Sequence, residues 1–152
     1  MNGKLIWSIF WALVGVFIVL VSTMVYPPPL LPRVIRSGLF LLISGALLLS
    51  LGTTFLVLTI KGKTKGISRK FQLLTGASAI GIPLSIFLHN AIYGLFIQWF
   101  GADFWDRIGL GDEPFFFIMA IVVCPIGFLV GAVGSIVLAI KKFRRTRQPS
   151  SV

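Results

Sequence analysis

The only histidine of the chain, His89, is the side chain whose type most directly suggests chemistry. It lies within a long apolar run, where ionisable groups are costly and often functional. An imidazole in that setting could relay a proton, ligate a haem or bind a quinone. The ordinary alternative is a neutral ring hydrogen-bonded to Ser85, one turn earlier, or to a neighbouring helix, and we favour that interpretation.

Polar side chains near His89 define a candidate polar site. Asn90 follows it directly, and Ser85 and Tyr93 lie four residues to either side, on the same helix face. Cys124, the single cysteine, lies at a similar expected depth below the same boundary, so a Cys–His pair is a further hypothesis. One Cys and one His fall short of the usual metal-ligand set, and no acid is placed to orient the imidazole. We therefore predict no enzyme activity, no catalytic residue, no metal site and no cofactor.

Four long apolar runs without charge supply the elements that must position these side chains. A helix needs about 20 residues to cross a hydrocarbon core of ~30 Å. The chain is 57% hydrophobic and 12% charged, too apolar to cover a surface that faces water. We predict an all-α integral membrane protein, a four-transmembrane-helix bundle that forms one membrane domain over 1–145, with a polar, disordered tail at 146–152. The predicted spans are about 5–25, 39–60, 71–97 and 115–140.

The first apolar run has a second possible meaning, because Lys4 ahead of an apolar stretch is also typical of a cleaved signal peptide. The run is long and aromatic, with Trp7 and Trp11 near its start. The Val21–Thr23 segment is a poor match to a cleavage site with small residues. We interpret the run as an uncleaved first helix.

The loop after the third run carries a candidate surface helix. We expect Asp103 to cap a short turn through Phe104 and Trp105, with Ile108 and Leu110 facing the membrane interface. This loop, 101–114, contains every acidic residue of the chain. The acidic spacing does not match a calcium-binding loop, so we interpret it as solvated.

Lysine and arginine are divided unevenly between the two sides of the predicted bundle. Eleven flank the amino terminus, the 61–70 loop and the carboxyl-terminal tail, whereas three lie on the other side: Arg33, Arg36 and Arg107. Cytoplasmic loops carry the excess of positive charge. We therefore predict cytoplasmic N and C termini in a plasma (inner) membrane, with the 61–70 loop also cytoplasmic. The acidic loop 101–114 and the proline-rich connection after Tyr26 then face outward, at the tips of two outward-facing helical hairpins.

The net charge of +10 raises the question of an anionic partner. The basic residues cluster just outside the apolar runs, where juxtamembrane charge attracts anionic lipid. No soluble domain is expected that could present a groove-reading element to nucleic acid. We predict anionic lipid headgroups at the cytoplasmic face as a partner, and no nucleic acid.

Small residues recur along three of the predicted helices. Because lipid tails are as apolar as leucine, small residues that let backbones approach mark helix contacts. Their spacing places each set on one helix face, and internal packing explains at least two of the sets. The helix-packing residues that we predict are Gly45, Gly52, Gly81, Gly127, Gly131 and Gly134.

These features favour a non-enzymatic accessory or anchoring subunit of a larger membrane assembly, associated with other membrane subunits or with itself. The first alternative is a small oligomeric transporter or channel. A proton-coupled mechanism of the kind used by small four-helix exporters needs an acid inside the membrane, and no predicted span contains one. The second alternative is a redox-linked membrane component that uses His89.

Overall fold

The computed structural model describes residues 3–26, 38–62 and 64–147, and no strand occurs among them. Within these ranges the chain is almost entirely helical. The elements are α1 (Gly3–Val25), α2 (Gly38–Lys61), α3 (Ile67–Phe100), α4 (Phe104–Arg107), α5 (Pro114–Ile118), a π-helical segment (Met119–Val123) and α6 (Cys124–Arg147). The proline-rich connection and the last residues of the predicted tail, 148–152, lie outside the described residues.

Four helical stretches are long and apolar enough to cross a membrane: Gly3–Val25, Gly38–Lys61, Ile67–Phe100 and Pro114–Arg147. By their length and composition, these helices indicate a membrane protein. The last two stretches each contain 34 residues, about 51 Å at 1.5 Å per residue, which exceeds the hydrocarbon thickness of about 30 Å. Both helices therefore tilt or extend past the hydrocarbon. The last helix runs seven residues beyond Ile140, where the predicted span ends, and so includes the first two residues of the predicted tail.

The central helix is α3, which packs along α6 on one side and α2 on the other. Its contact with α6 depends on glycine. A Cβ on Gly131 would lie 2.6 Å from Oγ1 and 2.7 Å from the backbone nitrogen of Thr75. A Cβ on Gly127 or Gly134 would lie just as close to side chains of α3. Any larger residue would force the two helices apart, so this set of small residues serves the packing of the chain itself.

The contact between α2 and α3 is also close. A Cβ on Gly52 would lie 3.3 Å from the carbonyl oxygen of Gly76, and Gly45 lies opposite the ring of Pro83. On the other side of α3, Gly81 faces the Cys124 sulfur, 2.6 Å from where a Cβ would stand. All six of the predicted packing glycines thus lie in contacts between α3 and its two neighbours.

Helix α1 packs mainly against α2, through phenylalanine rings. The centroids of the Phe10 and Phe55 rings are 5.9 Å apart, and Phe17 stacks on Phe128 of α6 at 4.3 Å. The rings of Phe10, Phe55 and Phe128 are almost completely buried. Aromatic pairs at these separations stabilise a core beyond the burial of their area, so they attach α1 to one side of the bundle.

Proline affects two helices differently. Helix α3 continues through Pro83, whereas the π-helical segment immediately precedes the Cys124–Pro125 pair. Proline has no N–H, and its ring clashes with the carbonyl four residues earlier. The widened turn relieves that clash, and the N–H of Cys124 donates to the carbonyl of Met119, five residues back.

The two ends of the bundle differ in charge. One end consists of the amino terminus of α1, the stretch that contains Gly62, Thr64, Lys65 and Ile67, and the carboxyl terminus of α6; residues from all three line a single groove. We call it the basic end, because the lysines and arginines concentrate there. The opposite end, formed by 101–113, contains all the acidic side chains, and we call it the acidic end.

Candidate functional site

The ring of His89 lies between two acidic residues at the acidic end. Its Nδ1 atom is 3.1 Å from the backbone carbonyl oxygen of Glu113 and 3.4 Å from the Oε2 atom of the same residue. Its Nε2 atom is 3.6 Å from Oδ2 of Asp112. The imidazole is largely buried, as is the Glu113 carboxyl group, whereas Asp112 is half exposed. The site thus connects an exposed acid, an imidazole and a buried acid.

The surroundings of His89 determine which ring nitrogen carries the proton. Both groups near Nδ1 are oxygen acceptors, so we assign the proton to Nδ1, which then donates to Glu113. The distance between Nε2 and Oδ2 of Asp112 is too long for a hydrogen bond, and with the proton on Nδ1 neither atom is a donor. Nε2 is the nitrogen that faces the exposed carboxylate.

Glu113 is held in place by the start of α5. Its carboxylate accepts hydrogen bonds from the backbone N–H groups of Phe115 at 2.9 Å and Phe116 at 3.0 Å. These are N-terminal amides of the helix, which have no partner within the helix, and Pro114 occupies the first helical position, where its missing N–H costs nothing. One carboxylate therefore caps α5 and also accepts from His89 on α3.

Aromatic rings cover this polar site. The Trp105 indole N–H donates to the backbone carbonyl of Tyr93 at 3.3 Å, and the two rings are nearly parallel with centroids 5.8 Å apart. Phe117 lies 5.6 Å from the centre of the His89 ring. Trp105 is buried, so the loop is packed down onto α3.

The short helix α4 forms where the sequence suggested, but its amino terminus differs from the expectation. Asp103 makes no capping hydrogen bond through its side chain. Its carboxylate instead pairs with Arg107 at 3.3 Å, one turn along. Ile108 and Leu110 are exposed, which is compatible with contact to lipid.

The remaining predicted site residues do not join His89 in one cluster. Within the described residues, the groups near His89 Nδ1 are the oxygens of Glu113 and not the Ser85 hydroxyl. Asn90 is exposed, and its amide donates to the carbonyl of Ile86 within its own helix at 2.8 Å. His89 lies beside Glu113, and the Cys124 sulfur faces Gly81, so the Cys–His pair stays a hypothesis.

The acids were the part of the site that the sequence analysis missed. We expected no acid to orient His89 and a fully solvated acidic loop, yet Glu113 is buried against the ring. Across the described ranges, no three His, Cys, Asp or Glu side chains are arranged to hold a metal ion. Comparison with protein-family models, with curated proteins and with solved structures finds no match for this chain.

The arrangement has two chemical capacities. It joins α3 to the start of α5 through a buried, charge-assisted contact, which fixes the loop at the acidic end. It also aligns an exposed carboxylate, an imidazole and a buried carboxylate, the order of groups needed to move a proton inward from the surface. Glu113 already accepts two backbone hydrogen bonds, and this favours the structural role.

Proposed function

We propose that this membrane protein is a non-enzymatic accessory or anchoring subunit of a larger membrane assembly. The observation that carries the proposal is the outward face of α1. Small residues recur on this face of α1 at helical spacing, and all of them are exposed: Ser8, Ala12, Gly15 and Ser22. In lipid, such a face allows another helix to approach closely.

The other small-residue faces leave little room for a partner, because α3 already occupies those of α2 and α6. A Cβ on Gly15, by contrast, would meet nothing within 4 Å. Trp11 and Ile18 flank the open face and are each more than half exposed. A partner helix that packs on Gly15 would bury both of these large side chains, which supports α1 as the subunit contact.

The proposed orientation places the basic end in the cytoplasm and the acidic end outside, in a plasma (inner) membrane. Its support is the charge division between the two ends, because eleven basic residues adjoin the basic end. In this orientation the last turns of α6 present Arg144, Arg145 and Arg147 to the cytoplasm. Anionic lipid or an acidic region of a partner subunit would pair with them.

A matched pair of variants tests the subunit contact. Gly15→Leu fills the open face of α1, and Gly94→Leu adds the same side chain at an exposed position of α3 that also has nothing within 4 Å. After purification in mild detergent, we expect Gly15→Leu to lose the partner and Gly94→Leu to retain it. Equal retention by both variants would contradict the use of this face. A particle that contains copies of this chain alone would favour the oligomeric transporter or channel.

A further inference from the structure

A groove of about 730 Å³ opens at the basic end, between the start of α1, residues Gly62, Thr64 and Lys65, and the last turns of α6. Its lining combines apolar side chains, Ile6, Trp7 and Phe143, with two lysines, Lys65 and Lys142. A cavity of this size can enclose a small-molecule group. The combination of cationic and apolar lining at the end of a membrane helix matches an amphiphile that has a negative head.

One buried polar side chain lines this groove, and two more are buried in the neighbouring helices. Gln72 lines it and is only 5% exposed, yet its Oε1 atom accepts no hydrogen bond from the described chain. The hydroxyl groups of Thr59 and Ser135 are likewise buried and unpartnered. A buried polar group without a partner is costly, so a polar ligand at Gln72 would be strongly favoured.

These three side chains come from three helices at one level of the bundle. Phe55 of α2 contacts Gly76 of α3. Thr59 is one helical turn from Phe55, and Gln72 is one helical turn from Gly76, so Thr59 lies beside Gln72. Gly131 of α6 lies against Thr75 of α3. Ser135, one helical turn from Gly131, therefore lies at the level of Gln72. Thr59 and Ser135 therefore lie at about the level of Gln72, and Gln72 is the one of the three that lines the groove.

The amino terminus of α3 adds hydrogen-bond donors. Gly66 precedes this 34-residue helix and supplies no side-chain cap to the first N–H groups. Ile67 and Ser68, which begin the helix, line the groove. Uncapped N–H groups and the helix dipole favour an anion such as phosphate.

No acidic residue of the chain lies near this end, because all four are confined to 103–113. Among the residues that the structure describes, the groove lysines therefore have no acidic side chain as a counter-ion. We propose that the groove binds the phosphate-bearing headgroup of an anionic phospholipid. The phosphate lies between Lys65, Lys142 and the start of α3, and a headgroup hydroxyl donates to Gln72.

The site differs from general attraction between a basic surface and a membrane, because it requires particular lysines and the buried amide. Lys65 and Lys142 line the groove, whereas Lys61 and Lys141 are neighbouring exposed lysines outside its lining. Removal of either pair deletes two charges from the basic end. The two double variants therefore have the same net charge and separate the specific site from the general field.

The experiment titrates delipidated protein in neutral detergent with phosphatidylglycerol or phosphatidylcholine and measures bound lipid by native mass spectrometry. We expect the wild-type protein to prefer phosphatidylglycerol. The variant with Lys65→Ala and Lys142→Ala should lose affinity by about twenty-five-fold, about fivefold for each lysine. The control with Lys61→Ala and Lys141→Ala should lose at most about twofold. Equal losses in the two double variants, or equal binding of the two lipids, would overturn the proposal.

Gln72→Leu supplies an independent variant of similar shape. We expect it to weaken phosphatidylglycerol binding by about tenfold while the lipid-free protein stays folded with equal or higher thermal stability, because an unpartnered amide is removed. Unchanged lipid binding in this variant would contradict a role of the amide in the site. Inorganic phosphate and glycerol phosphate form the last arm, and binding of either as tightly as the lipid would assign the groove to a soluble phosphate compound instead.

Discussion

Replacement of His89 by leucine should loosen the acidic end of the bundle. The variant removes the one side chain that donates to Glu113 within the described ranges, and it leaves a buried carboxylate with two backbone N–H partners. Hydrogen bonds to charged groups contribute about 1.5–3 kcal/mol, and a buried acceptor that loses its donor adds a desolvation penalty. We expect the free energy of unfolding to fall by about 2 kcal/mol, a change of roughly thirtyfold in the equilibrium constant.

Two measurements assess this variant. Equilibrium unfolding in mixed micelles gives the global change, and hydrogen exchange followed by mass spectrometry reports on the amides of Phe115 and Phe116. Both amides should exchange faster in His89→Leu, because the carboxylate that they bind is no longer fixed from α3. His89→Gln, which keeps an N–H donor, should recover part of the loss.

The neighbouring residue supplies the control. In the part of the chain that the structure describes, the exposed Asn90 amide bonds only to Ile86 of its own helix, so Asn90→Leu should change the free energy of unfolding by less than about 0.5 kcal/mol. Equal effects of the His89 and Asn90 variants would refute the reasoning. Unchanged exchange at the start of α5 in His89→Leu would refute it as well.

Three further predictions concern packing and capping. Gly131→Ala should destabilise the protein by about 1–3 kcal/mol in micelle unfolding, because the new methyl group overlaps the α3 backbone, whereas Gly15→Ala should stay within about 0.5 kcal/mol. Gly81→Ala should destabilise the protein by about 1–3 kcal/mol, because the new Cβ would meet the Cys124 sulfur. In the double variant, Cys124→Ala should restore most of that stability, and strict additivity of the two changes would argue against the contact. Glu113→Ala should cost about 1–2 kcal/mol and increase amide exchange at the start of α5, because the helix loses its cap; unchanged exchange there would count against the capping role.

The four membrane helices were predictable because the signal is local. A run of about 20 apolar residues without charge has few folded outcomes other than a membrane helix. The ends of the helices were less predictable: α3 begins at Ile67 and includes Arg69 and Lys70, and the last helix continues through the basic residues after Ile140. Once a helix has left the hydrocarbon it continues through polar residues, and hydropathy does not show where among those residues the helix ends.

The glycine faces show a different limit. Spacing along a helix indicates that Gly127, Gly131 and Gly134 share a face, but it does not reveal which helix that face meets. The structure places α3 against it, with Thr75 directly opposite Gly131. The exposed small face of α1 passed unnoticed in the sequence, because its members mix serine, alanine and glycine.

The partner of His89 was missed for a physical reason. Acidic residues in a loop are usually solvated, and Glu113 lies 24 residues away along the chain. A usable signal was nevertheless present: Glu113 stands directly before Pro114, which opens an apolar run. An acceptor side chain followed by proline is typical of a helix start. A cap at the start of the last helix was therefore foreseeable, although its contact with α3 was not.

The composition of the native particle tests the proposed function most directly. The protein is extracted from its own membrane in mild detergent, and the mass and protein content of the particle are measured for the wild type and for Gly15→Leu. The account predicts a stable particle that contains other membrane proteins and that loses them in the variant. A particle containing only this chain, unchanged by Gly15→Leu, would contradict it.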